Sequence, residues 1–387
     1  MVHRTLAGHI RKLHKKFPVI SVTGPRQSGK TTLLRNSFPD YSYVSLENPD
    51  ILDFALTDPR GFFARYPENC IFDEIQRAPH LFSYLQQIVD DRNKPGMFMI
   101  SGSQNFLLAE RISQSLAGRV AVLNLLPFSF EEISSIKAAA PALDTLLYSG
   151  GYPRIFDARI DPADYYPNYL ATYVERDVRQ IKNITNLTAF QRFVKLCAGR
   201  TGGLLNLSSL GNDCGISHNT ALAWLAVLET SYIVFLLQPH HANFNKRLVK
   251  SPKIYFYDTG LACSLLGIRN AKELGTHGMR GQLFENLIIA EFLKYRVHRG
   301  MQADLFFWRD KTGNEVDCII ESGQKVIPVE IKSGSTLNED FFKGVVFFNK
   351  LRSGKDGYVV YGGTDSQPRA AAHVLSWKEC SKAIADS

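Results

Sequence analysis

The chain has 387 residues, of which 45% are hydrophobic and 21% are charged, and 45 Lys and Arg against 37 Asp and Glu give a net charge of +8. This length exceeds one small domain, and the composition excludes a disordered chain. The six cysteines lie far apart in the sequence, which excludes a disulfide scaffold. No apolar run approaches the ~18 residues of a membrane span, so we expect a cytoplasmic protein with reduced cysteines and no membrane partner.

The first third of the chain alternates short apolar strands with helical patterns. This alternation predicts an α/β fold with a parallel sheet that is covered on both faces. The predicted strands are Val19–Thr23, Tyr41–Leu46, Cys70–Asp73, Met97–Ser101 and Val120–Leu125, with helices between them at Thr31–Ser37 and Leu81–Asp90. The pattern breaks at Gly150 and Gly151, so we place the first domain at residues 1–153.

Residues 24–31, GPRQSGKT, fit the P-loop pattern G-x-x-x-x-G-K-[ST] and follow the first predicted strand. Such a loop points backbone N–H groups at phosphates, and the N-terminus of the next helix adds to the attraction. Lys30 is expected to reach the β- and γ-phosphates of ATP, and the Thr31 hydroxyl to coordinate Mg²⁺. The residues predicted to bind the nucleotide are Gly24, Pro25, Arg26, Gln27, Ser28, Gly29, Lys30, Thr31 and Thr32.

Two adjacent carboxylates end the predicted strand Cys70–Asp73. Asp73 is expected to hold the Mg²⁺ shell, and Glu74 to polarise the attacking water. Ser103 follows the next strand, where a group that senses the γ-phosphate would lie, although a plain turn is the alternative. Arg119, or less favourably Arg111, is a candidate cation for the transition state, from the same chain or a neighbouring subunit, and a surface arginine is the alternative.

The sequence after residue 153 predicts three further domains. Residues 154–203 are helical without strands and predict a helical lid or linker. Residues 204–274 show a short helix, a turn, a helix capped by Ser217 and two strands, an order that suits a winged helix. Its predicted basic wing includes Lys246, Arg247 and Lys253, so DNA is a candidate partner, and protein docking is the alternative.

Residues 275–387 predict a second α/β unit that carries a set of carboxylates. Asp317, Glu330 and Lys332 are expected on one face of a β-hairpin, with Glu285 on the preceding helix. This set resembles the D…E-x-K core of PD-(D/E)xK nucleases. In that interpretation Asp317, Glu330 and Glu285 bind Mg²⁺, while Lys332 orients the water that attacks a phosphodiester. A solvated sheet face with an ordinary Glu–Lys pair is the alternative.

Several segments together resemble one family of AAA-type P-loop ATPases, found in bacteria and archaea, with a C-terminal domain of unknown function. They are VTGPRQSGKTTL, IFDEIQ, SGSQNFLL, LAGR, GGYP, YVERDV, YFYDTGLA and FENLIIAEFL. The resemblance covers nearly the whole chain. It implies an ATPase core, a helical lid, a winged-helix-like element and a restriction-endonuclease-like α/β domain.

These observations lead to one functional hypothesis and one alternative. The hypothesis is a Mg²⁺-dependent ATPase, a candidate homo-oligomer, whose nucleotide state controls a DNA-directed, nuclease-like C-terminal half. The alternative is an ATP-gated switch or docking protein in which the nuclease-like domain is catalytically inactive, because a fold by itself does not establish an activity.

Overall fold

The computed structural model describes residues 2–102, 115–136, 141–174, 186–240 and 249–385. The chain forms two compact units. The first unit consists of residues 1–128, 230–232 and 297–301, and the second of residues 129–229, 233–296 and 302–387. The boundaries predicted after residues 153, 203 and 274 stay predictions.

The first unit contains a five-stranded parallel sheet in the order β2-β3-β4-β1-β5. Its strands are β1 Val19–Thr23, β2 Ser42–Ser45, β3 Cys70–Asp73, β4 Phe98–Ser101 and β5 Val120–Asn124. The predicted strands are confirmed and differ only at their ends. Ser101 is opposite both Asp73 and Val22, so the carboxyl ends of the three central strands lie level at one edge of the sheet.

Helices cover this sheet, and two of them were not predicted. The helices are α1 Leu6–His14, α2 Lys30–Ser37, α3 Pro49–Thr57, α4 Pro59–Arg65 and α5 Leu81–Arg92, with a 3₁₀ turn at Ile75–Arg77. The unpredicted α3 and α4 each begin with a capping side chain followed by proline. Asn48 Oδ1 accepts a hydrogen bond from Asp50 N at 2.9 Å, and Asp58 Oδ1 accepts one from Gly61 N at 2.9 Å. This Asx-Pro signal for a helix start is therefore present in the sequence.

The second unit begins with helices, as the sequence predicts. They are α6 Phe130–Ser134, α7 Leu143–Ser149, α8 Pro153–Asp157, α9 Pro162–Tyr169, α10 Leu187–Ala198, α11 Leu207–Cys214, α12 His218–Thr230, α13 Thr259–Leu265, α14 Ala271–Thr276, α15 Arg280–His298, α16 Lys343–Arg352 and α17 Lys382–Ala385. A π-helical turn, Leu170–Val174, follows α9, and 3₁₀ turns lie at Glu339–Phe342 and Trp377–Glu379.

Asp258 is a buried carboxylate that connects distant segments of the second unit. It accepts hydrogen bonds from Gly151 N at 2.7 Å, from the Tyr166 hydroxyl at 2.7 Å and from Leu261 N at 3.0 Å. Gly150 has a φ of 62°, and a Cβ atom there would lie 2.2 Å from Asp258 Oδ1. A glycine is therefore required at this close approach, which explains the break in the sequence pattern.

The two helices predicted for the winged helix are present as α11 and α12. The Ser217 hydroxyl accepts a hydrogen bond from Thr220 N at 3.1 Å, so the predicted cap is confirmed. Ala221, Leu225 and Leu228 are buried, as expected for the core face of α12. The winged-helix assignment and its contact with DNA stay predictions.

An eight-stranded sheet forms the rest of the second unit. Its strands are β6 Val234–Pro239, β7 Lys253–Phe256, β8 Leu305–Arg309, β9 Glu315–Ser322, β10 Lys325–Lys332, β11 Tyr358–Tyr361, β12 Gln367–Pro368 and β13 His373–Ser376. Their order is β12-β13-β11-β10-β9-β8-β6-β7, and β6 pairs in parallel with β8. Strands predicted for the winged helix and for the C-terminal domain thus belong to one sheet.

In the described ranges, no helix has both the length and the apolar character that crossing a membrane requires. All six cysteines are free and buried, as the sequence analysis expected.

Candidate functional site

The P-loop joins β1 to α2 at the carboxyl edge of the five-stranded sheet. Gly24 has a φ of 142°, and a Cβ atom there would lie 2.2 Å from the carbonyl oxygen of Leu125. Gly29 has a φ of 91° and immediately precedes the first turn of α2. Both positions therefore need glycine, because a side chain would clash or force a strained backbone. The residues predicted to bind the nucleotide all lie on this loop or in the first turn of α2.

Lys30 is a buried cation at the start of α2. Its Nζ atom donates hydrogen bonds to the carbonyl oxygens of Gly24 at 3.0 Å and Pro25 at 2.8 Å. Burial lowers the pKa of Lys30 to about 8, against the opposing attraction of Glu74 and Asp73. An ammonium group that contacts only carbonyl oxygens attracts phosphate oxygens strongly, and their negative charge would raise the pKa of Lys30 again.

Asp73 and Thr31 meet where the sequence analysis placed the Mg²⁺ shell. The Thr31 hydroxyl donates a hydrogen bond to Asp73 Oδ2 at 2.9 Å. Asp73 is buried and also accepts hydrogen bonds from Tyr43 Oη at 2.8 Å and Ser101 Oγ at 2.5 Å. A hydroxyl and a carboxylate at this separation are the oxygen ligands that Mg²⁺ prefers. The residues present therefore fit the ion.

Glu74 lies beside Asp73 in an unusual backbone conformation. Its φ is 55°, in the left-handed region that residues other than glycine rarely adopt, and its carboxylate accepts a hydrogen bond from the Gln76 side chain. Such strain is often found at functional sites. Glu74 precedes the 3₁₀ turn Ile75–Arg77.

Two residues that the sequence analysis missed support this site. The guanidinium group of Arg4 donates hydrogen bonds to the carbonyl oxygens of Ser28 at 2.7 Å and Leu126 at 2.6 Å, so it braces the P-loop. Tyr43 holds Asp73, and burial and the Asp73 charge raise the pKa of the Tyr43 hydroxyl to about 12. Neither residue belongs to a local motif, so the sequence carried no signal for it.

Ser103 and Arg119 are the two remaining residues predicted to be catalytic at the nucleotide site. Ser103 lies outside the described residues, as does Arg111. Arg119 donates to both carboxylate oxygens of Asp90, at 2.5 and 2.9 Å, and its carbonyl oxygen accepts a hydrogen bond from Val19 N. It therefore lies at the amino end of β1, one strand length of about 15 Å from the P-loop. That distance is too long for a role toward nucleotide on the same chain, and a role in a neighbouring subunit stays a prediction.

A cavity of about 650 Å³ in the second unit is lined by the predicted hairpin residues Asp317, Glu330 and Lys332, together with Glu315. Lys332 Nζ donates to Asp317 Oδ2 at 3.0 Å and to Glu330 Oε2 at 2.5 Å. Asp317 Oδ2 also accepts a hydrogen bond from Ile331 N at 2.8 Å. The structure thus brings these three predicted residues together.

The pKa values of the two acids in this cavity, Asp317 and Glu330, are shifted in opposite directions. Burial alone would raise the pKa of Asp317, but the neighbouring Lys332 and Lys253 ammonium groups hold it at about 2. Burial and the Asp317 charge raise the pKa of Glu330 well above its usual range. Within the described residues, no group of three or more His, Cys, Asp or Glu side chains is arranged to hold a metal ion.

Glu285 contacts Lys253, which departs from its prediction. Glu285 Oε1 accepts hydrogen bonds from Lys253 Nζ at 3.0 Å and from the Tyr255 hydroxyl at 2.5 Å. Lys253 also forms an ion pair with Glu315. Lys253 was predicted to lie on an exposed basic wing, and this is wrong, because it is only 3% exposed. Lys246 and Arg247 of that wing lie outside the described residues.

Comparison with protein families divides the chain into three parts. An AAA domain matches residues 16–134, a domain of unknown function, DUF8612, matches residues 140–272, and a second one, DUF4143, matches residues 280–380. The match to the AAA domain includes the P-loop and the paired acids described above.

Curated relatives share most of this length. The uncharacterized protein Rv2008c of Mycobacterium tuberculosis is 32% identical over 338 residues, covering 86% of this chain and 74% of the relative. An uncharacterized protein of Haemophilus influenzae is 22% identical over 341 residues, covering 80% and 81%. Among solved structures, the Walker-type ATPase PABY2304 of Pyrococcus abyssi is similar with a TM-score of 0.44 and 12% identity, covering 67% of this chain and 94% of that chain. The structural likeness is too weak to support a conclusion.

Proposed function

The chain belongs to the family of the uncharacterized mycobacterial protein Rv2008c and carries an AAA domain, and on this premise we propose that it is a Mg²⁺-dependent ATPase. The observation that carries the proposal is the hydrogen bond between Thr31 and Asp73 at 2.9 Å beside the buried Lys30. The P-loop, the cation and the oxygen ligands for Mg²⁺ thus converge at one edge of a parallel sheet.

The residues of the site have separate roles in this reaction. Lys30 and the N–H groups of the P-loop bind and orient the phosphates of ATP. Thr31 and Asp73 hold Mg²⁺, which when bound offsets the negative charge that develops on the phosphates. Glu74 orients the attacking water and accepts its proton.

Two substitutions test these roles. Lys30→Ala is expected to abolish ATP binding, because it removes the cation that the phosphates contact. Glu74→Gln is expected to bind ATP and to lose hydrolysis, because the amide cannot accept a proton. The controls are Lys94→Ala and Glu68→Gln, which change the members of an exposed ion pair away from the P-loop. Unchanged hydrolysis in both site variants would refute the assignment.

A second proposal concerns the C-terminal cavity, which the contacts among Asp317, Glu330 and Lys332 favour as a metal-dependent, DNA-directed nuclease site. Asp317 and Glu330 would hold Mg²⁺, and Lys332 would orient water toward a phosphodiester. The test is incubation with linear, supercoiled and single-stranded DNA in Mg²⁺ or Mn²⁺, with and without ATP. Cleavage that Asp317→Ala abolishes supports the proposal.

The absence of cleavage under all of these conditions would instead favour an ATP-gated switch or docking protein with an inactive nuclease-like domain.

The proposed homo-oligomer has its own test. If Arg119 acts on nucleotide in a neighbouring subunit, hydrolysis per chain should rise with protein concentration and should fall in Arg119→Ala. A rate per chain that does not depend on concentration would argue against that role.

A further inference from the structure

Lys253 is a buried cation within the acidic residues of the second unit. Its Nζ atom donates to Glu285 Oε1 at 3.0 Å and pairs with Glu315. Glu285 Oε1 accepts a further hydrogen bond from the Tyr255 hydroxyl. One ammonium group therefore contacts two carboxylates. Glu315 lines the cavity and also pairs with Arg309 at 3.1 Å, whereas Glu285 does not line the cavity.

The backbone around Lys253 holds this ammonium group in place. Leu205 N donates to the carbonyl oxygen of Pro252 at 2.8 Å, and Gly202 N donates to that of Ile254 at 2.8 Å. Lys253 itself is opposite Leu237 in the β6–β7 pair. Because the strand is hydrogen-bonded on both sides and the Lys253 side chain is only 3% exposed, the side chain starts from a fixed point and has little room to move away from the acids.

A divalent cation coordinated by Glu285 would compete with Lys253 for the same carboxylate. Mg²⁺ binds carboxylate oxygens at about 2.1 Å, so the ion would lie within a few Å of the ammonium group in a buried environment. Like charges at that separation repel strongly where water is excluded. The arrangement around Glu285 therefore does not fit a metal ion.

We propose that the Lys253 ammonium group is a built-in cation that takes the place of a metal ion beside Glu285. Glu285 is then not a metal ligand, and its role is to hold Lys253. The Lys332 side chain is 33% exposed, against 3% for Lys253, so it can move away from Asp317 and Glu330. These two cavity residues are left for one divalent cation, a part of the inference that rests on the proposed nuclease function.

The first test counts the Mn²⁺ ions bound by the full chain without nucleotide, from the free Mn²⁺ signal in electron paramagnetic resonance. Lys253→Met is expected to bind one additional Mn²⁺ per chain, because it removes the ammonium group that Glu285 and Glu315 contact. Adding Glu285→Gln should remove that ion. The control is Lys250→Met, which changes an exposed lysine three residues earlier and should leave the number of bound ions unchanged.

The second test uses Glu285→Gln alone and does not require Lys253→Met to fold. The number of bound Mn²⁺ ions should stay the same, and Tm in EDTA should fall, because the variant removes half of a buried ion pair. If Glu285 were instead a metal ligand surrounded by other acids, Glu285→Gln would remove a bound ion. It would also raise Tm in EDTA, because neutralising one acid relieves repulsion in the metal-free protein. Loss of one Mn²⁺ ion or a rise of Tm would overturn the proposal.

Failure of the nuclease proposal gives a different result. In that case Asp317→Asn binds the same number of Mn²⁺ ions as the unaltered chain. The gain of an ion in Lys253→Met and the fall of Tm in Glu285→Gln would still be expected.

Discussion

Binding of ATP should become weaker as the pH rises through 8, because Lys30 must be charged to bind phosphate. Burial lowers the pKa of Lys30 to about 8 in the nucleotide-free protein, although Asp73 and Glu74 oppose the shift and Arg26 reinforces it. Bound phosphates stabilise the ammonium form and raise this pKa again. Well above pH 8, binding therefore requires the uptake of nearly one proton per ATP.

The size of the effect follows from the fraction of protonated Lys30. With a pKa of about 8, the protonated fraction is about 0.9 at pH 7 and about 0.1 at pH 9. The Kd for ATP should then rise about tenfold over these two pH units, equivalent to about 1.4 kcal/mol of binding free energy. Proton uptake on binding should increase from about 0.1 to about 0.9 per ATP.

Calorimetry in two buffers with different ionisation enthalpies measures both quantities at saturating Mg²⁺. Lys30→Arg serves as the control, because a guanidinium group stays charged over this pH range and should show no proton uptake. Proton uptake near zero at pH 9 in the unaltered chain would refute the inference that burial lowers the pKa of Lys30 and that bound phosphate raises it again.

Three further predictions concern other contacts. Tyr43→Phe removes one of three hydroxyl groups that hold Asp73 and should weaken Mg²⁺–ATP binding several-fold, about 1 kcal/mol, in a Mg²⁺ titration at fixed ATP, whereas an unchanged titration would show that Tyr43 is dispensable. Gly344→Ala should destabilise the chain, because its Cβ atom would lie 1.7 Å from Glu330 Oε1, whereas Gly8→Ala in α1 has open space and should stabilise it by about 0.5–1 kcal/mol in urea denaturation. Equal effects of the two glycine substitutions would contradict the packing argument. Asp258→Ala leaves two buried backbone donors, Gly151 N and Leu261 N, without their acceptor, while the Tyr166 hydroxyl keeps the carbonyl oxygen of Ser149 at 2.8 Å. The variant should cost about 2–4 kcal/mol of unfolding free energy, against about 1 kcal/mol for Tyr166→Phe, and similar losses would contradict the hydrogen-bond network.

Much of the fold could be predicted because its signals are local. The five parallel strands are short, buried and apolar, so they appear as continuous runs between polar segments. Helices α3 and α4 were missed although Asn48-Pro49 and Asp58-Pro59 carry start signals, because the apolar spacing after them is too short to dominate a window.

The sequence by itself predicted the candidate nucleotide site, because the P-loop residues are contiguous and the paired acids lie at the end of a strand. Parallel strands bring their carboxyl ends to one edge of the sheet, so Thr31 and Asp73 could be expected at the same edge. The hairpin with Asp317, Glu330 and Lys332 could be predicted for a similar reason, since alternation along paired strands sets which side chains share a face.

Only the tertiary structure decided the environments of Lys253, Glu285 and Arg119. The sequence around Lys253 predicts a basic, exposed segment. However, β7 belongs to the sheet that also contains β9, and this places Lys253 beside Glu285 and Glu315, which are 32 and 62 residues away in sequence. Arg119 directly precedes β5 in sequence, and the parallel register of β5 with β1 puts it at the edge of the sheet opposite to the P-loop. Contacts of this kind depend on which strands pair and in which register, and local patterns of hydrophobicity and charge do not encode that information.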